Sequence, residues 1–387
     1  MTKISMKSRK EVIKRYGAKY KKSSKKEKGK ILDGVCLATG LSRDRAKKLL
    51  CGRTLKTDAP SSKKRGRKIQ YDDSFRAALE KVWALMDFAC GRRIEAGMKD
   101  MLDALLRFGE IDFDQNTLEK LLKISSATID RLLKPAKNHM KFKGISATKP
   151  GTLLKRDIPI RLGTQWDDAV PGYVEIDLVA HCGVTAAGEY INTLDVTDIC
   201  TGWTETAAVL NKAQKHVFEA LMVVKERQPF PLLGIDSDNG SEFINAHLFR
   251  YCKQENICFT RSRPDKKNDG CHVEQKNWSV VRRNVGYDRY EGAEALKIMN
   301  EYYDLLRLYT NFFLPSAKLL NKSRDGSKIR KHYEAPQTPY KKLISSQHIE
   351  QDARRRLQET WQTLNPAELK RGMVRLLDQL QRLRTTC

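Results

Sequence analysis

Gly234-Ile-Asp-Ser-Asp-Asn-Gly-Ser-Glu-Phe243, and after it Asn268-Asp-Gly-Cys-His-Val-Glu-Gln-Lys-Asn277, decide how this chain is read. Pro231 to Ile235 is a short apolar run that reads as a buried strand, and Asp238-Asn239-Gly240 is turn chemistry, which places the Asp238 carboxylate at the strand's exposed end. Helical spacing resumes at once with Phe243, Leu248, Phe249 and Cys252, with Ser241 as the expected N-cap. Ile257 to Thr260 reads as a second strand and Arg263 to Gly270 as a polar loop. His272 to Val285 reads as a helix carrying Glu274 in its first turn. Upstream, Tyr173 to Val179 alternates, placing Glu175 and Asp177 on one face of a strand and Val174, Ile176 and Leu178 on the other.

Three acids from three elements, Asp177, Asp238 and Glu274, are therefore placed to converge. Glu175 and Asp236 compete for the same role, one strand period further back. Clustered carboxylates remain ionised at neutral pH only beside a strong positive charge. Mg²⁺ supplies it, held by one or two carboxylates with waters and substrate phosphate completing its octahedron, and a pair of such ions suits in-line displacement at phosphorus.

A strand ending in Ser-Asp-Asn-Gly-Ser-Glu-Phe, then 35 intervening residues, then a helical Glu in Val-Glu-Gln-Lys-Asn, resembles the catalytic core of retroviral-type integrases and of the integrase-core transposases of bacterial insertion sequences. The resemblance covers roughly residues 163–321. It implies a ribonuclease-H-like α/β fold with Asp177 on the first, central strand and Asp238 at the end of the fourth. It also implies Asp177, Asp238 and Glu274 as the metal-binding triad, serving two Mg²⁺ ions with Mn²⁺ as substitute. The implied activity is that of a DNA transposase, which binds the terminal inverted repeats of its element, frees 3′ ends and joins them to target DNA. The alternatives are a catalytically inactive DNA-binding regulator derived from a transposase, which the intact triad argues against, and a ribonuclease-H-type nuclease acting on hybrids.

Composition agrees with a polyanionic partner, because the 387 residues carry a formal charge of +26. Residues 1–70 hold 24 Lys or Arg against 5 Asp or Glu. Residues 1–30 read as a solvated basic tail in the absence of DNA. An internal repeat follows: Leu41 to Leu50 matches Ile124 to Leu133 in its apolar and cap positions, and each follows an apolar helical segment across a short turn, the outline of a helix-turn-helix. In the first copy Ser42 is the expected cap, and Arg43, Arg45, Lys47 and Lys48 are the candidates for DNA contact. Arg65-Gly66-Arg67, in a basic linker, is a candidate minor-groove hook. Lys266, Lys267, Lys276, Arg282 and Arg283 form a basic setting around Glu274 suited to DNA strands.

The expected organisation is multidomain and begins with all-α helix-turn-helix regions. These comprise a basic arm and helix-turn-helix (1–57), a linker (58–72) and a helical region with a second such motif (73–140). A second linker (141–162), the α/β core (163–321), and a basic turn-rich segment with C-terminal helices (322–387) complete the chain. No apolar run approaches the roughly 20 residues of a membrane span. The nine cysteines form no Cys-x-x-Cys pair, so buried thiols in a bacterial cytoplasm, beside the nucleoid, are expected. Double-stranded DNA and further copies of the chain are the expected partners.

Overall fold

The computed structural model describes residues 5–52, 70–139, 169–261 and 271–385, apart from 239, 241, 244, 326 and 327. Arg65, Arg67, Ser241, Lys266 and Lys267 lie outside the described residues. The chain divides into two compact units, Met1–Gln70 and Tyr71–Cys387.

The first unit holds α1 (Met6–Lys22), α2 (Lys25–Thr39) and α3 (Arg43–Leu50). The basic arm expected as a solvated tail is helical, because Ile13 and Tyr20 recur at helical spacing and are buried. Ser24 and Glu27 form a reciprocal capping box that starts α2. Gly40, in the left-handed region at φ 67°, closes it by donating its N–H to Cys36 O at 2.8 Å. A turn of Gly40, Leu41 and Ser42 leads into α3. Ser42 occupies the N-cap position but makes no side-chain capping bond. Leu32, Val35, Ala46 and Leu50 join Tyr20 in a small core.

The second unit opens with α4 (Asp73–Leu85), α5 (Gly91–Arg107), α6 (Gln115–Lys123) and α7 (Ser126–His139). Asp72 and Asp114 cap α4 and α6 by accepting from Phe75 N and Thr117 N, both at 2.9 Å. A five-stranded sheet follows, built from β1 (Tyr173–Ala180), β2 (Asn192–Asp198), β3 (Thr204–Val209), β4 (Gly234–Ser237) and β5 (Cys258–Arg261), in the order β3-β2-β1-β4-β5. β1 to β3 form an antiparallel meander, and β4 and β5 run parallel to β1. This is the topology expected of a ribonuclease-H-like core, with β1 central.

The two faces of the sheet differ in chemistry. Val174, Ile176, Leu178, Leu194 and Val196 pack on one side with α8 (Gln214–Arg227) and α9 (Ala246–Gln254). α9 starts later than expected and is capped by Asn245, whose side chain accepts from Leu248 N at 2.8 Å. The opposite face carries Glu175, Thr193, Asp195, Thr197 and Thr206, all buried, and Glu205 is buried on the margin strand β3. That face is covered by α10 (Cys271–Lys276) and α12 (Gly292–Phe313), with a π-helical turn (Asn277–Arg282) and the short α11 (Arg283–Val285) between them. The helix expected over His272 to Val285 is thus interrupted by wider turns.

Burying polar groups requires partners. Arg307 donates to Glu205 Oε1 at 2.8 Å, as does Trp203 Nε1. Two asparagines of α12 meet the outer edge of β3. Asn311 accepts from Thr204 N (2.9 Å) and donates to Thr204 O (2.8 Å), and Asn300 does the same at Ala208 (2.8 and 3.2 Å).

Asn321 to Arg330, expected as a turn-rich segment, belongs to an antiparallel hairpin of β6 (Leu319–Asp325) and β7 (Lys328–Tyr333). α13 (Pro339–Ser345), α14 (Gln351–Thr363) and α15 (Pro366–Arg382) complete the chain. α4 to α7, α12 and these C-terminal helices share one apolar core, in which Tyr340 stacks on Phe312 and Trp361. Of the described cysteines only Cys252 is buried, whereas Cys51, Cys90 and Cys258 are exposed. Among the described residues no helix is long and apolar enough to cross a membrane.

Candidate active site

The parallel register of β1 and β4 pairs Glu175 with Asp236 and Ile176 with Ser237. One step further, where β4 ends, come Asp177, in the middle of β1, and Asp238, so the register places these two acids side by side. Glu175 and Asp236, one period back, are almost fully buried and already satisfied. Asp236 accepts from Thr260 Oγ1 at 2.6 Å.

Glu175 has a structural task of its own. Its Oε2 accepts from His272 N (2.7 Å) and Val273 N (3.0 Å), the first amides of α10. A carboxylate here satisfies donors that a helix start leaves open and complements the helix dipole. The same strand that carries Asp177 therefore anchors the helix that carries Glu274. His272 contributes its backbone amide to this link.

Asp177 receives an N–H from its neighbour Leu178 (2.8 Å) and from Asn277 Nδ2 (2.5 Å). Burial pushes its carboxyl up to about 7, the charge of Asp238 adds to this, the two hydrogen bonds oppose it, and Glu274 raises it slightly further. Asp238 is raised as well, by burial first, against the N–H of Gly240 at 2.8 Å, with Glu242 adding repulsion and Lys212 relieving it. Asp238 and Glu274 reach solvent. Asp238 and Glu274 thus both act electrostatically on Asp177. Among the described residues, no group of three or more His, Cys, Asp or Glu side chains is placed to hold a metal ion. Asp177, Asp238 and Glu274 nonetheless offer only hard carboxylate oxygens, the donor type that suits Mg²⁺ held by few protein ligands.

Two neighbours escaped the sequence reading. Asp195 on β2 is the direct cross-strand partner of Asp177, fully buried, with one oxygen accepting from Thr197 Oγ1 at 3.1 Å. Burial holds its carboxyl far above the usual range, with Lys276 opposing. Burial lowers the Lys276 ammonium in turn, and it donates to Gly202 O at 3.1 Å. Its only signal in sequence is the alternation Thr193, Asp195, Thr197, which reads as a solvent face and is in fact buried. Asn277, the second, donates its side-chain N–H to Asp177 and orients that carboxylate.

The basic candidates divide. Arg43, Arg45, Lys47 and Lys48 are exposed on α3, with Arg43 also paired to Asp33. Lys276 points inward. Arg282 donates to Gly286 O at 3.4 Å and lies over the Tyr287 ring, while Arg283 pairs with Asp87 at 3.4 Å, both partly covered. These three form internal contacts rather than the open DNA-facing row expected of them.

Sheet order and strand register define a mixed α/β core joined to helical regions. The chain is 37% identical over 338 residues to the uncharacterized protein y4rM of Sinorhizobium fredii, an alignment spanning 87% of this chain and 95% of that one, and it belongs to the same family. No protein-family model matches it. Among solved structures it is similar to the catalytic core domain of BIV integrase (TM-score 0.29, 15% identity, 46% of this chain and 96% of that one). It is also similar to the HTLV-2 integrase catalytic core domain in complex with magnesium (TM-score 0.30, 13% identity, 39% and 93%). These likenesses are partial and say nothing of activity.

Proposed function

We propose that the chain is a DNA transposase that binds the ends of its element, hydrolyses a strand at each end and directs the freed 3′-hydroxyl at a target phosphodiester. The observation that carries this reading is the register of β1 and β4, which sets Asp177 beside Asp238 where β4 ends, with the helix that carries Glu274 anchored on the same face of β1 through Glu175. Asp177, Asp238 and Glu274 would hold Mg²⁺, or Mn²⁺ in its place, as two ions. Such ions, when bound, make an oxygen nucleophilic at neutral pH and stabilise the leaving one.

The chain's own groups do the positioning. Asn277 and Leu178 N fix the Asp177 carboxylate, Gly240 N fixes Asp238, and Glu175 sets the start of the helix that presents Glu274. Water and then a 3′-oxygen serve as nucleophiles, so no covalent protein intermediate is required. The exposed cations of α3 supply a DNA-binding surface on the first unit, and several copies are expected to act together on DNA.

Purified protein incubated with DNA carrying its element's ends should nick and join that DNA with Mg²⁺ or Mn²⁺, and should bind it with little chemistry in Ca²⁺. Cleavage that persists undiminished in chelator would sink the reading.

A further inference from the structure

The hairpin of β6 and β7 is not part of either apolar core around it. Its described side chains are exposed on both faces, including Leu320 at 67% and Ile329 at 50%. A lone two-stranded ribbon is marginal in water, so one that leaves apolar residues uncovered has a partner to meet. Charge identifies the partner's chemistry: residues 318–333 contain six Lys or Arg and a single acid, Asp325.

The register sorts the ribbon into two faces. Asn321 pairs with His332 and Ser323 with Arg330, which puts hydrogen-bonding side chains together on one face. Arg324 pairs with Ile329, and Lys331 shares that second face. The root of the ribbon opens on a cavity of about 630 Å³ that reaches His272, Gln275 and Ser279 of the helix bearing Glu274. Arg93, Lys276, Arg283, Lys318, Lys331 and Lys342 line it, against the one acid Asp87. Basic side chains thus lead from the ribbon towards the catalytic helix, although Lys276, Arg283 and Lys342 are also engaged within the chain by Gly202 O, Asp87 and Glu334.

We infer that the β6–β7 ribbon is a groove-binding arm for duplex DNA, and that the basic cavity at its root receives the phosphate backbone on its way to the catalytic acids. A two-stranded ribbon fits the major groove of B-DNA, where Asn, Ser, His and Arg side chains meet base edges, and cations beside it neutralise phosphates. The inference rests on the chain's being a DNA-processing enzyme, and it adds where the duplex is gripped.

The test uses the full chain, a short random-sequence duplex and a salt titration. Arg330→Ala and Arg330→Ala/Lys331→Ala should melt as the wild type does, since neither residue packs in a core. The double variant should bind about tenfold or more weakly, with the slope of log K against log salt reduced by about one for each lost phosphate contact. Lys215→Ala, at an exposed cation on α8 far along the chain, serves as the control and should bind as the wild type does. Methylation of guanine N7 in the duplex should weaken the wild type more than Arg330→Ala. Affinity and salt slope unchanged in the double variant overturn the inference. So does a double variant that binds DNA normally but changes its sedimentation, which makes the ribbon an interface between copies. Loss of metal-dependent cleavage in every preparation would count against the transposase reading instead, because the binding measurement does not depend on chemistry.

Discussion

Truncating Glu175 tests the link between the two halves of the candidate site. In Glu175→Ala, the amides of His272 and Val273 lose their acceptor in a fully buried position. A buried donor left unsatisfied costs about 1–3 kcal/mol, and loss of a charge at a helix start adds roughly 0.5–1 kcal/mol. For two donors and the charge these come to roughly 2.5–7 kcal/mol, or about 5–14 °C in melting temperature at roughly 2 °C per kcal/mol for a unit of this size. Glu175→Gln keeps an oxygen that can accept both bonds and loses only the charge, about 1 kcal/mol. Thermal melting followed by circular dichroism, paired with Mg²⁺-dependent end cleavage, separates the cases. The alanine variant should lose both stability and cleavage, and the glutamine variant should retain most of each. An alanine variant that melts with the wild type and cleaves at its rate would refute the idea that β1 anchors the catalytic helix.

Other outcomes follow from the same geometry. Asp177→Asn, Asp238→Asn and Glu274→Gln should each abolish cleavage and strand transfer while leaving end binding nearly intact, whereas a folded Asp236→Asn should retain activity; an inactive Asp236→Asn beside an active Asp238→Asn reverses the assignment. Burial, with Arg282 nearby, holds the His181 imidazole down to about 3, so it folds neutral. Its contribution to stability is complete above the unfolded value near 6.5 and is lost as pH falls toward 3, about 2 kcal/mol by pH 5. His181→Gln should flatten the denaturation profile between these limits, and an unchanged slope in urea titrations at several pH values rules this out. Replacing Arg43 or Arg45 by Ala should lower the preference for end DNA over random DNA by about 1–3 kcal/mol if the residue reads bases; equal losses on both DNAs make it a phosphate contact.

Where local pattern and tertiary role agree, the sequence is legible. β1, α8 and the turn after Asp238 have their period or turn chemistry written into neighbouring residues, and a parallel register then suffices to bring Asp177 to Asp238. Burial that depends on distant partners is not legible in this way. Thr193, Asp195 and Thr197 alternate as a solvent-facing strand would, and only α10 and α12, some 80 to 110 residues later, make that face interior. Glu175 reads as a rival metal ligand because nothing local reveals that two amides of α10 will reach it. The β6–β7 ribbon had a signal, the Asp325-Gly326 dipeptide, but its strands carry charge where apolar alternation would mark a half-buried hairpin. The π-helical turn has no local mark at all; it is where the helix widens as Asn277 bonds Asp177.

Asn300 and Asn311 stand 11 residues apart on α12, close to three helical turns, so both amides project from the same side of the helix. Each offers one donor and one acceptor, the complement that a neighbouring strand would offer at Thr204 and Ala208. The helix therefore imitates a sixth strand at two points and closes that margin of the sheet to strand addition from any other chain. The two borders of the sheet therefore differ in kind: β3 is met by the side-chain amides of a helix, and β5 is the strand at the other border.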